Sequence, residues 1–199
     1  MEGSGGFDPD LTMAPRVYLA GPEVFLPQSE QAGLRDAKLA HCRTAGLLGV
    51  FPTVSGLTGA TPSGLEARAT GHQWFIELVE QLRSCDLAIA NLTPFRGPSA
   101  DAGTIWEVGF LIGGGVPVFA YTNDGSDYRH RAERWADPDH AVEDFGLTDN
   151  LMLDRSIPAS NGGIEVVRTA VGAVTEFTDL SGFAECVRAC AAHPIVTAE

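Results

Sequence analysis

The sequence predicts an α/β fold with a doubly wound parallel sheet and helices on both of its faces. Short apolar runs alternate along the chain with longer segments of helical period, an order typical of β-α-β units with right-handed crossovers. The apolar runs are continuous, as expected for parallel strands that are covered on both faces. With 199 residues and a hydrophobic fraction of 44%, the chain is long enough to bury one such core.

The predicted strands are four apolar runs. They cover residues 17–20, 49–52, 87–92 and 116–121. In an open parallel sheet, ligands bind outside the carboxyl ends of the strands, near the point where the strand order reverses. The loops that follow residues 20, 92 and 121 are therefore the expected location of a binding site.

The predicted helices lie between and after these runs. They cover residues 29–45, 72–84 and 104–112, with a last helix over about 179–193. Apolar residues recur in them at helical spacing, and a Gly triplet at 113–115 is a strong stop signal for the third helix.

A long polar and aromatic stretch follows the last predicted strand, over residues 122–161. A stretch of this length is typical of a functional loop or of one that carries short helices. Within it, Arg129, Arg131 and Arg134 have acidic neighbours, a pattern that fits a solvent-exposed or interface helix.

Composition and charge restrict the partners of the protein. A net charge of −13 without any Lys/Arg cluster disfavours nucleic acid, because binding to the phosphate backbone depends on basic side chains. No apolar run is long enough to span a bilayer, and the N-terminus lacks the basic start and apolar core of a secretion signal. We therefore expect a flexible tail over residues 1–15, a single domain over residues 16–199, and a cytoplasmic protein that binds neither nucleic acid nor membranes.

The most informative segment runs from residue 91 to residue 109, where a predicted buried strand leads through a Pro/Gly loop into a helix. Asp101 and Glu107 flank the start of this helix, where the helix dipole favours anionic side chains. The spacing Thr104-x-x-Glu107 also fits a capping box, in which both side chains bond backbone amides. Asp101 alone fits a turn residue. The segment predicts either an acidic site at the crevice or a structural helix start.

Several motifs together resemble the nucleoside 2-deoxyribosyltransferase family. They are Tyr18-Leu-Ala-Gly-Pro-Glu-Val-Phe25, Asn91-Leu-Thr-Pro-Phe-Arg-Gly97, Asp101-Ala-Gly-Thr-Ile-Trp-Glu107-Val-Gly109 and the tripeptide Asn150-Leu-Met152. The second motif resembles the protozoal and related bacterial branch of the family. The resemblance covers roughly residues 16–154 and agrees with the predicted fold class, a doubly wound sheet of the flavodoxin-like type.

The resemblance implies an enzyme that transfers 2-deoxyribose between nucleobases. Glu107 would be the nucleophile that attacks C1′ and forms a covalent glycosyl-enzyme, and Tyr18 would orient its carboxylate. Asp101 would accept a hydrogen bond from the sugar 5′-hydroxyl and repel a 5′-phosphate. The implied substrates are deoxynucleosides and free nucleobases, with neither a metal nor an organic cofactor.

The resemblance also implies a set of substrate-binding residues. They are Gly21, Pro22, Phe25, Gly103, Asn150 and Met152. Asn150 and Met152 would reach the site of a neighbouring subunit, which implies a homo-oligomer. Considered without the resemblance, Tyr18 also fits a core aromatic residue, and Gly21 fits a simple turn glycine.

One position departs from the family pattern. Where the family commonly has Asp or Asn in contact with the base, this chain has Leu78. The adjacent Glu77 could take that role only if its helix were rotated or shifted. The sequence therefore assigns no residue to base recognition or to protonation of the leaving group.

Two other functions stay open at this point. If water intercepts the glycosyl-enzyme, the protein is an N-glycoside hydrolase that acts on deoxyribonucleosides or deoxynucleotides. A doubly wound sheet also occurs in noncatalytic nucleoside-binding modules.

Overall fold

The sheet has five parallel strands in a computed structural model that describes residues 14–54, 63–170 and 177–197. The strands are β1 (Arg16–Ala20), β2 (Leu48–Val50), β3 (Leu87–Asn91), β4 (Val118–Thr122) and β5 (Val167–Arg168). They pair in the order β2-β1-β3-β4-β5. The strand order therefore reverses between β1 and β3, because β2 lies on one side of β1 and the later strands lie on the other. The crevice at the carboxyl ends of β1 and β3 is the expected ligand site of such a sheet.

Seven helices and one short 3-10 turn connect the strands within the described ranges. They are the 3-10 turn Pro22–Phe25, α1 (Gln28–Thr44), α2 (Leu65–Arg83), α3 (Ala102–Gly113), α4 (Tyr128–Ala132), α5 (Leu151–Asn161), α6 (Ser181–Ala191) and α7 (Pro194–Thr197). None of these helices has the length and apolar character needed to cross a membrane.

Each face of the sheet has its own apolar core, because successive side chains of a strand point to opposite faces. One face carries Tyr18 and Val118 and packs against α2, α3 and α5. The other face carries Val17 and Phe119 and packs against α1 and α6. The predicted α/β class, with a doubly wound parallel sheet covered by helices on both faces, is confirmed.

The ends of several elements differ from the prediction. The second helix begins at Leu65, well before the expected residue 72. Its first turns expose Glu66, Arg68 and Ala69, so they carry no apolar stripe that periodicity could detect. Strand β5 was not predicted, because two residues are too short to form a recognisable pattern.

Two further expectations concern the ends of the domain. Residues 122–161 carry α4 and α5, as the prediction of short helices in this stretch required. Of the predicted tail over residues 1–15, residues 1–13 lie outside the described residues, and β1 begins at Arg16.

Buried polar contacts tie the loop between β3 and α3 to the segment around α4. Arg131 is only 8% exposed, and its guanidinium donates to the carbonyl oxygens of Pro98 at 2.8 Å, Ser126 at 2.6 Å and Thr148. The interpretation of this segment as a solvent-exposed helix is wrong for Arg131, because three separate loops supply its acceptors.

The carboxylate of Asp149 holds the same loop from the other side. It accepts a hydrogen bond from the Ser99 hydroxyl and another, of 2.8 Å, from the amide of Ala100. Ala100 directly precedes Asp101, so these contacts fix the place at which α3 begins.

Candidate active site

The centre of the site is a hydrogen bond between a strand and a helix. Tyr18 lies in β1 with its ring in the core, and its hydroxyl donates to Oε1 of Glu107 at 2.7 Å. Glu107 lies in the second turn of α3, on the side that also carries the buried residues Thr104, Val108 and Leu111. Helical spacing therefore places a carboxylate among residues that face the sheet.

Burial controls the charge of this carboxylate. Desolvation is the largest effect and raises the pKa of Glu107 from its ordinary value of 4.5 to about 7, although the Tyr18 hydrogen bond lowers it. The negative charges of Asp101 and Glu23 add to the increase. Desolvation and the neighbouring Glu107 raise the pKa of the Tyr18 phenol, so Tyr18 is a neutral donor at pH 7. Glu107 can therefore exchange between its acid and carboxylate forms near neutral pH.

The first residue of the acidic motif, Asp101, is the N-cap of α3. Its Oδ2 accepts from the backbone amides of Gly103 at 2.9 Å and Thr104 at 3.2 Å. A capping box that starts at Thr104 is therefore wrong, because Thr104 lies inside the first turn and Glu107 bonds Tyr18 instead of an amide. Both cap bonds end on Oδ2, so Oδ1 is not used by the cap.

The two predicted binding glycines, Gly21 and Gly103, each have a structural reason in the described chain. A Cβ at Gly103 would come within 2.9 Å of the Asp101 carboxylate, and one at Gly21 would overlap the carboxylate of Glu23. Both positions therefore need a small residue so that a neighbouring acidic side chain can pack closely. Pro22 is buried and begins the 3-10 turn that follows Gly21.

Aromatic and cationic side chains cover the end of that turn. Phe25 is 51% exposed, and its ring stacks on the ring of Phe95 with a centroid distance of 5.5 Å. The Arg96 guanidinium lies 4.8 Å from the Phe25 ring and 4.7 Å from the Phe95 ring. Arg96 has a left-handed backbone with φ of 57°, an unfavourable conformation for a residue with a Cβ. The loops after β1 and β3 thus meet through Phe25, Phe95 and Arg96.

Among the residues that the structure describes, no hydrogen bond joins Asn150 or Met152, predicted to serve a neighbouring subunit, to Tyr18, Asp101 or Glu107. Asn150 caps α5 by accepting from the amide of Met152 at 3.0 Å, and its Nδ2 donates to Glu143 at 2.7 Å. Met152 is 76% exposed. Its side chain is thus available at the surface of the chain.

The position that departs from the family pattern lies in α2. Leu78 is half-buried there, and the adjacent Glu77 accepts a hydrogen bond from Gln73 at 3.1 Å. Within the described part of the chain, no group of three or more His, Cys, Asp or Glu side chains is placed to hold a metal ion.

A group of buried polar residues next to the site was not predicted from the sequence. Glu23, Lys38, Asn91 and Tyr121 are buried, and the carboxylate of Glu23 bonds the other three. The sequence signal for this group was Lys38, which lies at helical spacing between Leu34 and Cys42 on the buried side of α1.

The fold and the site define an α/β protein with half-buried carboxylates at the carboxyl edge of a doubly wound sheet. The model of the nucleoside 2-deoxyribosyltransferase family matches residues 17–152. The chain belongs to this family.

Similar proteins come from protozoa, fungi and bacteria. A 2-deoxyribosyltransferase from Leishmania mexicana is 25% identical with a TM-score of 0.58, covering 87% of this chain and 97% of that chain. An uncharacterized protein from Schizosaccharomyces pombe is 34% identical over 133 residues, which are 62% of this chain and 59% of the yeast protein. A 2-deoxyribosyltransferase from Bacillus psychrosaccharolyticus is 20% identical with a TM-score of 0.45, covering 71% of this chain and 82% of that chain.

The raised pKa of Glu107 predicts how its replacement changes stability with pH. The pKa of Glu107 in the folded protein, about 7, exceeds its ordinary value of 4.5. Ionisation of Glu107 therefore lowers the free energy of unfolding as the pH rises between these two values. Glu107→Gln keeps an acceptor for Tyr18 and should raise the free energy of unfolding at pH 8 by about 1–3 kcal/mol. The gain should disappear as pH falls toward 4.5.

Urea denaturation at a series of pH values measures this difference. Glu80→Gln, which removes a carboxylate at an exposed position of α2, is the matched control, with an expected effect below about 0.5 kcal/mol. A Glu107→Gln variant whose stability relative to the parent is the same at pH 8 and pH 5 would contradict the proposed burial of a charge.

Proposed function

We propose that the protein is a nucleoside 2-deoxyribosyltransferase that moves 2-deoxyribose from one nucleobase to another through a covalent bond to Glu107. The observation that carries this proposal is the Tyr18–Glu107 hydrogen bond of 2.7 Å on a half-buried carboxylate. Membership of the family and the likeness to the Leishmania mexicana enzyme support the choice of reaction.

In the first step, the ionised carboxylate of Glu107 attacks C1′ of a bound deoxynucleoside. The C1′–N bond breaks, its electron pair leaves with the base, and the base takes up a proton. Tyr18 holds Oε1, which orients the second oxygen, Oε2, for attack. Positive charge that develops on the sugar ring is stabilised by the nearby carboxylate.

The second step reverses the first with a different base. A ring nitrogen of the incoming base attacks C1′ with its lone pair, loses its proton, and displaces the Glu107 carboxylate. Each step inverts the configuration at C1′, so the product keeps the β-configuration of the substrate. The first base leaves before the second reacts, and the kinetics are ping-pong.

The environment of Glu107 favours this covalent route. Desolvation disfavours the charged form of the carboxyl group, and a glycosyl ester at the same position carries no charge. The burial that raises the pKa of Glu107 therefore also lowers the free energy of the ester relative to the free carboxylate. The Tyr18 hydroxyl remains a donor in both states.

Asp101 supplies recognition of the sugar in this proposal. Its Oδ1, which the helix cap does not use, accepts a hydrogen bond from the 5′-hydroxyl of the substrate. Phe25 lines the base subsite through its exposed ring. Asn150 and Met152 complete the site of a neighbouring subunit in a homo-oligomer, which agrees with the exposure of Met152.

A base-exchange assay tests the proposed reaction. The protein is incubated with one deoxynucleoside and a different free base, and the products are separated by chromatography. We expect a new deoxynucleoside, and a loss of at least about 1000-fold in rate for Glu107→Ala, with an unchanged circular dichroism spectrum. The Glu80→Gln variant is the control for loss of a carboxylate elsewhere.

Other outcomes of this assay identify a different function. Release of free deoxyribose without a new nucleoside indicates a hydrolase. Nucleoside binding without any turnover indicates a noncatalytic binding module. Either result would contradict the proposed transfer.

The charge of Asp101 predicts discrimination against nucleoside 5′-monophosphates. Asp101→Asn keeps an oxygen that can cap α3 but removes the charge that repels a phosphate. The ratio of kcat/KM for a deoxynucleoside over its 5′-monophosphate should fall by about 10- to 100-fold, because the repulsion between the Asp101 carboxylate and the phosphate is lost. Steady-state kinetics with both substrates measure this ratio.

Thermal unfolding provides the control for the helix cap. Asp101→Asn should leave stability nearly unchanged, whereas Asp101→Ala should lower it by about 1 kcal/mol because the cap is lost. An unchanged substrate ratio in a stable Asp101→Asn variant would remove Asp101 from the sugar site.

A further inference from the structure

A cavity lies between the loop after β3 and the segment that follows β4, and we call it the loop cavity. Its volume is about 610 Å³, within the range of about 300–1,000 Å³ that is usual for small-molecule sites. The loop after β3 lines it with Pro94, Gly97 and Pro98, and the segment after β4 lines it with residues between 124 and 135. The proposed catalytic residues Tyr18, Asp101 and Glu107 do not line it, so the loop cavity is separate from the proposed catalytic site.

A buried cation joins the two sides of the loop cavity. The Arg131 guanidinium donates to the carbonyl oxygen of Pro98 at 2.8 Å and to that of Ser126 at 2.6 Å. All three residues line the cavity, and Arg131 is 8% exposed. Because the donors of a guanidinium form a rigid fork, these bonds fix the separation of the two loops. The loop cavity is therefore preformed.

The two carboxylates of the loop cavity already have partners. Asp124 accepts from the amide of Ser126 at 2.9 Å and from its hydroxyl at 2.5 Å, and its other oxygen lies 3.9 Å from Nη1 of Arg131. Asp127 forms an ion pair of 2.9 Å with Arg168. Two guanidinium groups thus offset the charges of these carboxylates, which leaves neither of them free to bind a cation.

The polar groups that remain in the loop cavity are hydrogen-bond donors. Among the described residues, the side chains of His130, Arg134 and Trp135 have no hydrogen-bond or ion-pair partner. Helical backbone bonds continue from α4 to residue 136, so His130 and Arg134, four residues apart, lie on the same side of this turn. Trp135 is 70% exposed. The cavity thus offers a guanidinium, an imidazole and an indole.

These three groups fit one class of ligand. Arginine and histidine side chains bind phosphate oxygens through charge-assisted hydrogen bonds, and an exposed indole stacks on planar heteroaromatic rings. A nucleoside 5′-monophosphate carries both a phosphate and a planar base. Inorganic phosphate would leave the indole unused, and a nucleoside without phosphate would leave the basic groups unused.

We propose that the loop cavity is a second ligand site, which binds a nucleoside 5′-monophosphate with its phosphate on Arg134 and His130 and its base on Trp135. The inference does not depend on the proposed transfer reaction. It gives a place to the ligand class that the charge of Asp101 is proposed to exclude from the catalytic site.

Tryptophan fluorescence tests this site directly, with adenosine 5′-monophosphate as the probe. The chain has three tryptophans. Trp135 lines the loop cavity, whereas Trp106 directly precedes Glu107. We expect the probe to quench the fluorescence with a Kd below about 1 mM. The quenching should disappear in Trp135→Phe and remain in Trp106→Phe.

Charge variants test how the phosphate is bound. Arg134→Gln should raise the Kd of adenosine 5′-monophosphate at least about 10-fold, and His130→Asn should raise it at least about 3-fold, because each removes a donor to the phosphate. Arg188→Gln, at an exposed position of α6, is the matched control and should leave the Kd unchanged. Adenosine and inorganic phosphate should each bind at least about 10-fold more weakly than the nucleotide.

Several outcomes would overturn the inference. They are the absence of a Trp135 response to millimolar nucleotide, a Kd that Arg134→Gln leaves unchanged, and inorganic phosphate that binds as tightly as the nucleotide. Protection of Trp135 from acrylamide in the free protein would show that another copy covers the cavity, which also overturns it.

The measurements separate this inference from the proposed function. Quenching that persists in Trp135→Phe and is reversed by a deoxynucleoside would place the nucleotide at the catalytic site, against both this inference and the exclusion by Asp101. Base exchange should continue unchanged in Arg134→Gln. Nucleotide binding at Trp135 without any base exchange in the parent protein would support the second site and contradict the proposed transfer.

Discussion

The structure depends on a carboxylate that is half-buried on the inner side of a helix. Glu107 faces the sheet from α3, where burial disfavours its charge, and the Tyr18 hydroxyl is the donor that stabilises the charged form. At alkaline pH, a carboxyl group with a pKa of about 7 makes the folded protein less stable than a neutral residue of the same shape would. This loss of stability is explained if the group reacts, because esterification removes the charge.

The rest of the carboxyl edge keeps this residue in place. Arg131 binds the loop before α3 through the carbonyl oxygen of Pro98, and Asp149 binds it through Ala100. Asp101 then caps the helix that carries Glu107, so the two acidic residues of the motif have a fixed spacing along one helix. In the turn after β1, the carboxylate of Glu23 accepts hydrogen bonds from Asn91 at the end of β3 and from Tyr121 in β4. The contacts of Arg131 and Asp149 join the loop between β3 and α3 to α4 and to the loop before α5.

The fold could be predicted from the sequence because continuous apolar runs and helical periodicity are local signals. The candidate site residues Glu107, Asp101 and Tyr18 were predicted from motifs that resemble the family, but the sequence could not choose between a capping box and a site at Thr104-x-x-Glu107. The choice depends on a contact between residues 18 and 107, which no local pattern contains. The burial of Arg131 and Lys38 was missed for the same reason, because the acceptors of their hydrogen bonds lie in distant parts of the chain.

The most direct test of the account is the mass of the intact protein during turnover. Protein mixed with a deoxynucleoside and no acceptor base is quenched in acid and analysed by mass spectrometry, followed by peptide mapping. The account predicts a species heavier by one deoxyribosyl group, with the modification on the peptide that contains Glu107 and absent from Glu107→Gln. Base release with no modified protein at any quench time, or a modification on a different residue, would contradict it.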